Sequence, residues 1–86
     1  DDFVQNSELL MYPNPCSGNV NISLAQLYEN ASVRIIDITG KIVKTKQFEL
    51  GVKLQNVSVN DLETGIYFVQ LLENGNISST EKLIVQ

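Results

Sequence analysis

The longest apolar stretch of the chain, Leu62–Leu72, decides most about what the chain can fold into. It is rich in β-branched and aromatic residues, and an Asn74-Gly75 pair follows it closely. An apolar run of this kind that ends near Asn-Gly is typical of a buried strand that enters a hairpin. We therefore predict a strand here that forms the centre of an all-β core.

The beginning of this stretch has a second feature, the spacing of Leu62, Gly65 and Tyr67. It resembles the tyrosine corner of Greek-key sandwiches, in which a Tyr near the start of a strand hydrogen-bonds back to the backbone of the preceding corner. Gly65 is expected to let the chain turn tightly because it has no Cβ. Tyr67 is expected to bury roughly 150–250 Å² of largely apolar surface.

Short strands separated by turn signals occupy the rest of the chain. Strands are predicted at 9–12, 19–24 and 54–59, together with two hairpins at 33–47 and 62–85. This number and spacing predicts a seven-stranded antiparallel immunoglobulin-like Greek-key β-sandwich. Alternation places five apolar side chains of the single strands inward: Val20, Ile22, Leu24, Val57 and Val59.

The first predicted strand ends at Pro13-Asn14-Pro15. The two prolines remove two backbone donors, and they push Tyr12 and Asn14 toward extended geometry. Gly18 can adopt a positive φ and complete the turn. A rigid turn and a recognition element are both consistent with this segment.

The first hairpin can be paired in two ways. A type I turn over Asp37–Gly40, with a bulge at the glycine, pairs Ile35 with Val43. A two-residue Thr39-Gly40 loop would instead pair Ile35 with Lys44 and bring charge onto the core face. Because a one-residue slip reverses every side chain, we predict the first arrangement, with Asp37 as a turn-former.

The last hairpin also has two candidate registers. A strict Asn74-Gly75 turn would place Ser78, Thr80 and Lys82 on the face of Tyr67. We predict an odd-length loop that includes Asn76, because it aligns three apolar residues with Tyr67: Ile77, Leu83 and Val85. The opposite face then carries Ile66, Phe68, Leu72 and Ile84. Such an exposed apolar patch marks an interface or lies under a covering loop.

Composition excludes several functional classes. The 86 residues suffice for one small domain, and the net charge of −4 argues against nucleic-acid or anionic-membrane partners. No apolar run approaches the roughly 20 residues of a membrane span. The chain contains no His and a single Cys. Cys-His and Ser-His catalysis, His-containing zinc sites and an internal disulfide are therefore unavailable. We predict a non-enzymatic domain without cofactor or metal.

Four segments taken together resemble a known family. They are Tyr12–Gly18, Asp37–Lys41 with Val43, Leu62–Val69 and Lys82–Val85. In this order they are similar to the C-terminal sorting domain of type IX secretion cargo (type A), found in Bacteroidota. The resemblance covers 9–86 without departure at the motif positions.

The resemblance implies a non-catalytic address label for a passenger protein. Residues 1–8 would be a leader from the passenger, and 9–86 the sorting domain. Such a domain is exported through the periplasm by the type IX machinery, and a sortase-like protease removes it, here within Asp1–Leu9. The cargo then stays on the outer-membrane surface or is released. The implied recognition and sorting positions are Tyr12, Pro13, Asn14, Pro15, Gly18, Asp37, Gly40, Lys41, Gly65, Tyr67, Lys82, Leu83, Ile84, Val85 and Gln86.

Physical reasoning adds a docking hypothesis and a rival function. A terminal strand, 77–85 or 9–12, could be captured by β-augmentation, and we favour the last strand because Ile84 is predicted to face outward. The apolar face or an exposed strand also allows a homodimer. The rival is an immunoglobulin-like adhesive or carbohydrate-binding accessory module of a secreted enzyme. It would need an exposed aromatic platform, and the obvious candidates, Tyr28 and Phe48, are predicted to pack over a sheet edge.

Overall fold

The computed structural model describes residues 9–86, and these form seven β-strands in two packed antiparallel sheets. The strands are β1 (Leu9–Ser17), β2 (Asn19–Leu24), β3 (Ala31–Asp37), β4 (Ile42–Phe48), β5 (Leu54–Ser58), β6 (Gly65–Glu73) and β7 (Asn76–Val85). Sheet A has the order β1-β2-β5, and sheet B has the order β4-β3-β6-β7. The predicted seven-stranded sandwich is confirmed. The predicted leader, residues 1–8, lies outside the described residues.

The core lies between the two sheets and is apolar throughout the described chain, where no polar or charged residue is buried. Alternate residues of each inner strand point into it, as the period of a half-buried strand requires. The inward positions predicted for β2 and β5 are confirmed, and Val59 just after β5 is buried as well. From β6 the core receives Tyr67, Val69 and Leu71.

Strand β1 is longer than predicted, because it runs through both prolines to Ser17. Its first part, from Leu9 to Tyr12, pairs with β2 in sheet A. Its last part pairs in parallel with sheet B through Cys16 and Val85. The Tyr12-Pro13 and Asn14-Pro15 peptide bonds are both cis. Because β1 pairs with both sheets, the proline segment does not end the strand but lies where it passes from one sheet to the other.

The turn of the first hairpin forms as predicted. The Gly40 N–H donates to the Asp37 carbonyl at 2.9 Å, and the Asp37 N–H donates to the Lys41 carbonyl at 2.9 Å. Gly40 has a φ of 92°, in the left-handed region where a side chain is strained. The prediction of this turn from Asp at its first position and Gly at its last is confirmed.

The pairing beyond that turn was predicted wrongly. Ile36 pairs with Ile42, but Ile35 pairs with Lys44, so Val43 is an extra residue in β4 and forms a β-bulge. The predicted pair of Ile35 with Val43 does not form. The fold tolerates Lys44 beside Ile35 because β4 is an edge strand, and the Lys44 ammonium reaches a carboxylate oxygen of Asp61 at 3.0 Å.

The last hairpin has the two-residue turn that the sequence reasoning rejected. Asn74 and Gly75 have φ values of 54° and 83°, and Glu73 pairs with Asn76. The predicted odd-length loop is therefore wrong. Two positive φ values in the turn are typical of a type I′ hairpin, whose twist matches that of the strands.

A second bulge restores the predicted faces of β7. Leu72 pairs with Ile77 and Leu71 with Ser79, so one residue of β7 is left over between them. Leu83 and Val85 consequently lie in the core with Tyr67, as predicted. Ile77 was predicted on that face as well, but it lies on the opposite side and is 52% exposed. The bulge in β7 thus produces the one-residue shift in register that we expected from an odd-length loop.

Candidate recognition surface

Motif segments that are far apart in the sequence meet at one end of the sandwich. Asp37 pairs with Tyr67, Tyr67 pairs with Leu83, and Val85 pairs with both Gly65 and Cys16. We call this region the motif end and define it as Tyr12–Gly18, Asp37–Lys41, Leu62–Tyr67 and Lys82–Gln86. The opposite end, here the far end, holds the β2–β3 loop and the β6–β7 turn, where the Asn74 N–H donates to the Asn30 carbonyl at 2.9 Å.

The tyrosine corner predicted from the sequence is present. The Tyr67 hydroxyl donates to the Glu63 carbonyl at 2.6 Å, and only 8% of Tyr67 is exposed. Leu62 packs against the core beneath the same corner. One aromatic side chain thus contributes to the core and also fixes the path of the chain into β6.

The predicted reason for Gly65 is wrong. The φ of Gly65 is not in the positive region, and a Cβ built at this position would meet no atom of residues 9–86 within 4 Å, its chain neighbours aside. The corner therefore does not need a glycine for either conformation or space. Gly18, by contrast, has a φ of 88° and behaves as predicted.

The side chain of Asn14 links the kink of β1 to the last strand. Its Nδ2 donates to the Lys82 carbonyl at 2.9 Å, and its Oδ1 accepts from the Ile84 N–H at 3.0 Å. The side-chain amide thus provides the donor and the acceptor that a neighbouring backbone would supply to β7. The flanking prolines have no N–H to offer, so the amide compensates for the donors they remove.

These contacts occupy the terminal part of the edge along which the final strand was predicted to be captured. The Gln86 N–H donates to the Cys16 carbonyl at 2.8 Å, next to the two bonds of Asn14. The outer edge of β7 between Lys82 and Gln86 is thus already hydrogen-bonded within the domain. A partner strand would have to break these bonds to pair there. Ile84 does face outward, opposite Ile66 on sheet B, as predicted.

The turn after β3 is held by the carboxylate of Asp37. Its Oδ1 accepts from the Thr39 hydroxyl at 2.6 Å, the Thr39 N–H at 2.9 Å and the Lys41 N–H at 3.0 Å. These bonds, that of the Thr39 hydroxyl foremost, lower the pKa of Asp37 below its ordinary value. Asp37 is therefore an ionised turn-former at neutral pH.

Two depressions flank Tyr67 at the motif end, each of about 430 Å³. One is lined by Lys41–Val43, Asp61–Glu63, Asp37 and Tyr67. The other is lined by Asp37, Ile38 and Glu63–Tyr67, and we call it the corner groove. They share Asp37, Glu63 and Tyr67, but only the first includes a cation.

The described residues provide no cluster that could hold a metal ion, and their cysteine is not activated. Within residues 9–86, no three His, Cys, Asp or Glu side chains lie close enough together to hold a metal ion. Burial raises the pKa of the Cys16 thiol, which makes it a poor nucleophile. Tyr28 and Phe48 are buried, so neither provides the aromatic platform that a carbohydrate-binding surface would need. Residues 9–86 contain no helix long and apolar enough to cross a membrane.

Sequence reasoning found most residues of this surface but missed how they act. It singled out Asn14 without its partners on β7, which are up to 70 residues away in the chain. It missed Glu63 and Ile38, which line the corner groove, because nothing local distinguishes an exposed Glu or Ile in a loop. It assigned Gly65 to the fold, although the fold has room for a side chain there.

One comparison with known proteins gives a match. The family model described as "Secretion system C-terminal sorting domain" matches residues 10–86. The match spans all four motif segments and both sheets. No curated protein matches the chain.

Proposed function

The chain belongs to the secretion-system C-terminal sorting domain family, whose members are the sorting signals of type IX secretion, and we propose that its motif end is what the machinery reads. Members of this family are in general non-catalytic, and their signal implies export of the cargo to the cell surface or the medium.

The convergence of the motif segments is the observation that supports this proposal. Residues from β1, the β3–β4 turn, the β5–β6 corner and the end of β7 occupy one end of the sandwich. Several of their polar side chains hydrogen-bond to the backbone and so shape the fold, as those of Asn14 and Asp37 do. The surface that remains carries exposed apolar side chains, such as Ile38 and Ile66, and charged side chains of both signs. Such a mixed surface suits recognition by a protein.

The remaining steps concern the fate of the cargo. The passenger crosses the periplasm, and a sortase-like protease then removes the domain by cutting within Asp1–Leu9. Leu9 is buried and begins β1, so a cut after Leu9 would fall within a folded strand. The cargo is then anchored or released. A homodimer through the apolar face of sheet B stays a prediction, which sedimentation of the isolated domain would check.

The proposal is tested by fusing the domain behind a folded reporter in a bacterium with a type IX system. We expect surface labelling or release of the reporter, and retention when the same fusion is made in a strain without the machinery. A reporter without the domain is the control. Retention of the complete fusion in the competent strain would contradict the proposal, and so would equal export by both strains.

Deletion of Leu83–Gln86 is the obvious variant, and we expect it to trap the cargo in the periplasm. It also removes Leu83 and Val85 from the core, so it cannot separate recognition from folding. The sharper variant replaces Lys82 and Ile84 by Ser, since both side chains lie on the outer face of sheet B, where they oppose Phe68 and Ile66. A folded but retained double variant would support recognition at this end.

A further inference from the structure

Gly65 in the corner groove has no role that the fold explains. A glycine inside a strand usually marks a bulge or bend, or a place where a ligand or another backbone approaches closely. At Gly65 the φ is not in the left-handed region, and a Cβ would meet no atom of the described chain within 4 Å. The open space beside Gly65, the first residue of β6, leaves room for close approach from outside the domain.

The backbone beside Gly65 is open on one side. The ladder between β3 and β6 ends at the pair of Asp37 and Tyr67. Gly65 and Ile66 therefore pair with β7, through Val85 and Ile84, but with no residue of β3. The side of β6 that β3 leaves uncovered is where the corner groove lies, because Ile38 continues β3 into the turn.

The walls of the groove combine apolar and acidic groups. Ile38 is 73% exposed and Ile66 is 46% exposed, which is high for large aliphatic side chains. Asp37 and Glu63 add two carboxylates, and no Lys or Arg is among the described residues that line this groove. The first depression at the motif end is also lined by Lys41, so its charged side chains are not all negative.

From these features we propose that the corner groove binds an extended segment of a protein of the secretion machinery, in which an apolar side chain stands next to a Lys or Arg. Its backbone pairs with the open side of Ile66 next to Gly65, its apolar side chain packs against Ile38, and its cation lies near Glu63. The inference rests on the proposed function and assigns the contact surface within it.

The first test compares two exposed isoleucines at opposite ends of sheet B. Ile66→Ser changes the groove, and Ile77→Ser makes the same change at the far end, where the side chain is 52% exposed. In the reporter fusion we expect Ile66→Ser to lower the surface-displayed fraction about fivefold or more, the effect of losing one good contact. Ile77→Ser should match the unchanged fusion, and both purified domains should melt within a few degrees of each other.

Gly65→Ala tests close approach directly. The fold has room for the added methyl group, so the melting temperature should stay the same or rise. The surface-displayed fraction should nevertheless fall, because the methyl group occupies the space of the incoming backbone. A lowered melting temperature would overturn the argument that the fold leaves this space free.

Charge reversal at Glu63 tests whether the bound segment contributes a Lys or Arg. Glu63→Lys should lower delivery more than Glu63→Gln, while Glu49→Lys, an exposed glutamate outside the groove, should have no effect. If the Ile66, Gly65 and Glu63 variants were all displayed as efficiently as the unchanged fusion, binding at the corner groove would be refuted, but the sorting function would not. Failure of the unchanged fusion itself would overturn the proposed function.

Discussion

Two tyrosines, Tyr67 at the motif end and Tyr28 at the far end, are equally buried, each with 8% of its surface exposed. Their hydroxyls differ. That of Tyr67 donates to the Glu63 carbonyl at 2.6 Å, whereas that of Tyr28 has no partner among the described residues. Tyr67 therefore fixes a corner of the chain, whereas Tyr28 contributes mainly buried apolar surface.

The difference extends to the surroundings of the two residues. At the motif end, side chains bond to the backbone of distant segments, as Asn14 does to β7. At the far end, the β6–β7 hairpin closes through a local two-residue turn. The last strand at the motif end is thus held by the side chain of Asn14, which lies 70 residues before Ile84 in the chain, whereas the hairpin turn at the far end is built from neighbouring residues.

Truncation of either tyrosine should have the largest effect on stability. We expect Tyr67→Ala to cost about 3–5 kcal/mol in the free energy of unfolding, and Tyr28→Ala a similar amount, because each removes a buried aromatic ring. Urea unfolding of the purified domain measures both. A melting curve barely changed by Tyr67→Ala would place this residue outside the core.

Removal of the hydroxyl alone should separate the two sites. Tyr67→Phe leaves the Glu63 carbonyl without its partner, and we expect a loss of about 1–2 kcal/mol. Tyr28→Phe removes an unpaired buried hydroxyl, so its free energy of unfolding should be unchanged or higher. Equal losses in the two Phe variants would mean that the ends are not built differently.

Asn14→Ala should have a smaller effect than removal of either ring. It breaks two hydrogen bonds to β7, but both lie in exposed surroundings where water can replace the amide. We expect a loss of about 1 kcal/mol, together with faster amide hydrogen exchange at Ile84. Unchanged exchange at Ile84 would show that the amide does not hold the last strand.

The smallest expected effect is a dependence on pH at the turn after β3. The pKa of Asp37 is lowered in the folded state, so its contribution is present above the unfolded value of 3.8 and is lost as the pH falls through the lower folded value. The stability difference between the domain and its Asp37→Asn variant should therefore be constant near neutral pH and shrink below about pH 4. A difference that grows in acid would contradict this sign.

What the sequence could predict depended on the range of the interactions involved. The tyrosine corner and the Asp37–Gly40 turn follow from neighbours within a few residues, and both were predicted. The two bulges, at Val43 and beside Ile77, depend on which residues a partner strand offers, so both registers were misjudged. The contacts of Asn14 and the empty space at Gly65 exist only in the assembled fold.

The central claim is that the secretion machinery recognises the surface of the motif end, so that a folded domain alone is not sufficient for export. Its most direct test is the surface-displayed fraction of a reporter fused to the Lys82→Ser and Ile84→Ser double variant, compared with that of the Ile77→Ser variant. With both domains folded, we expect retention of the first and normal display of the second. Normal display of both, or retention of both, would contradict the claim.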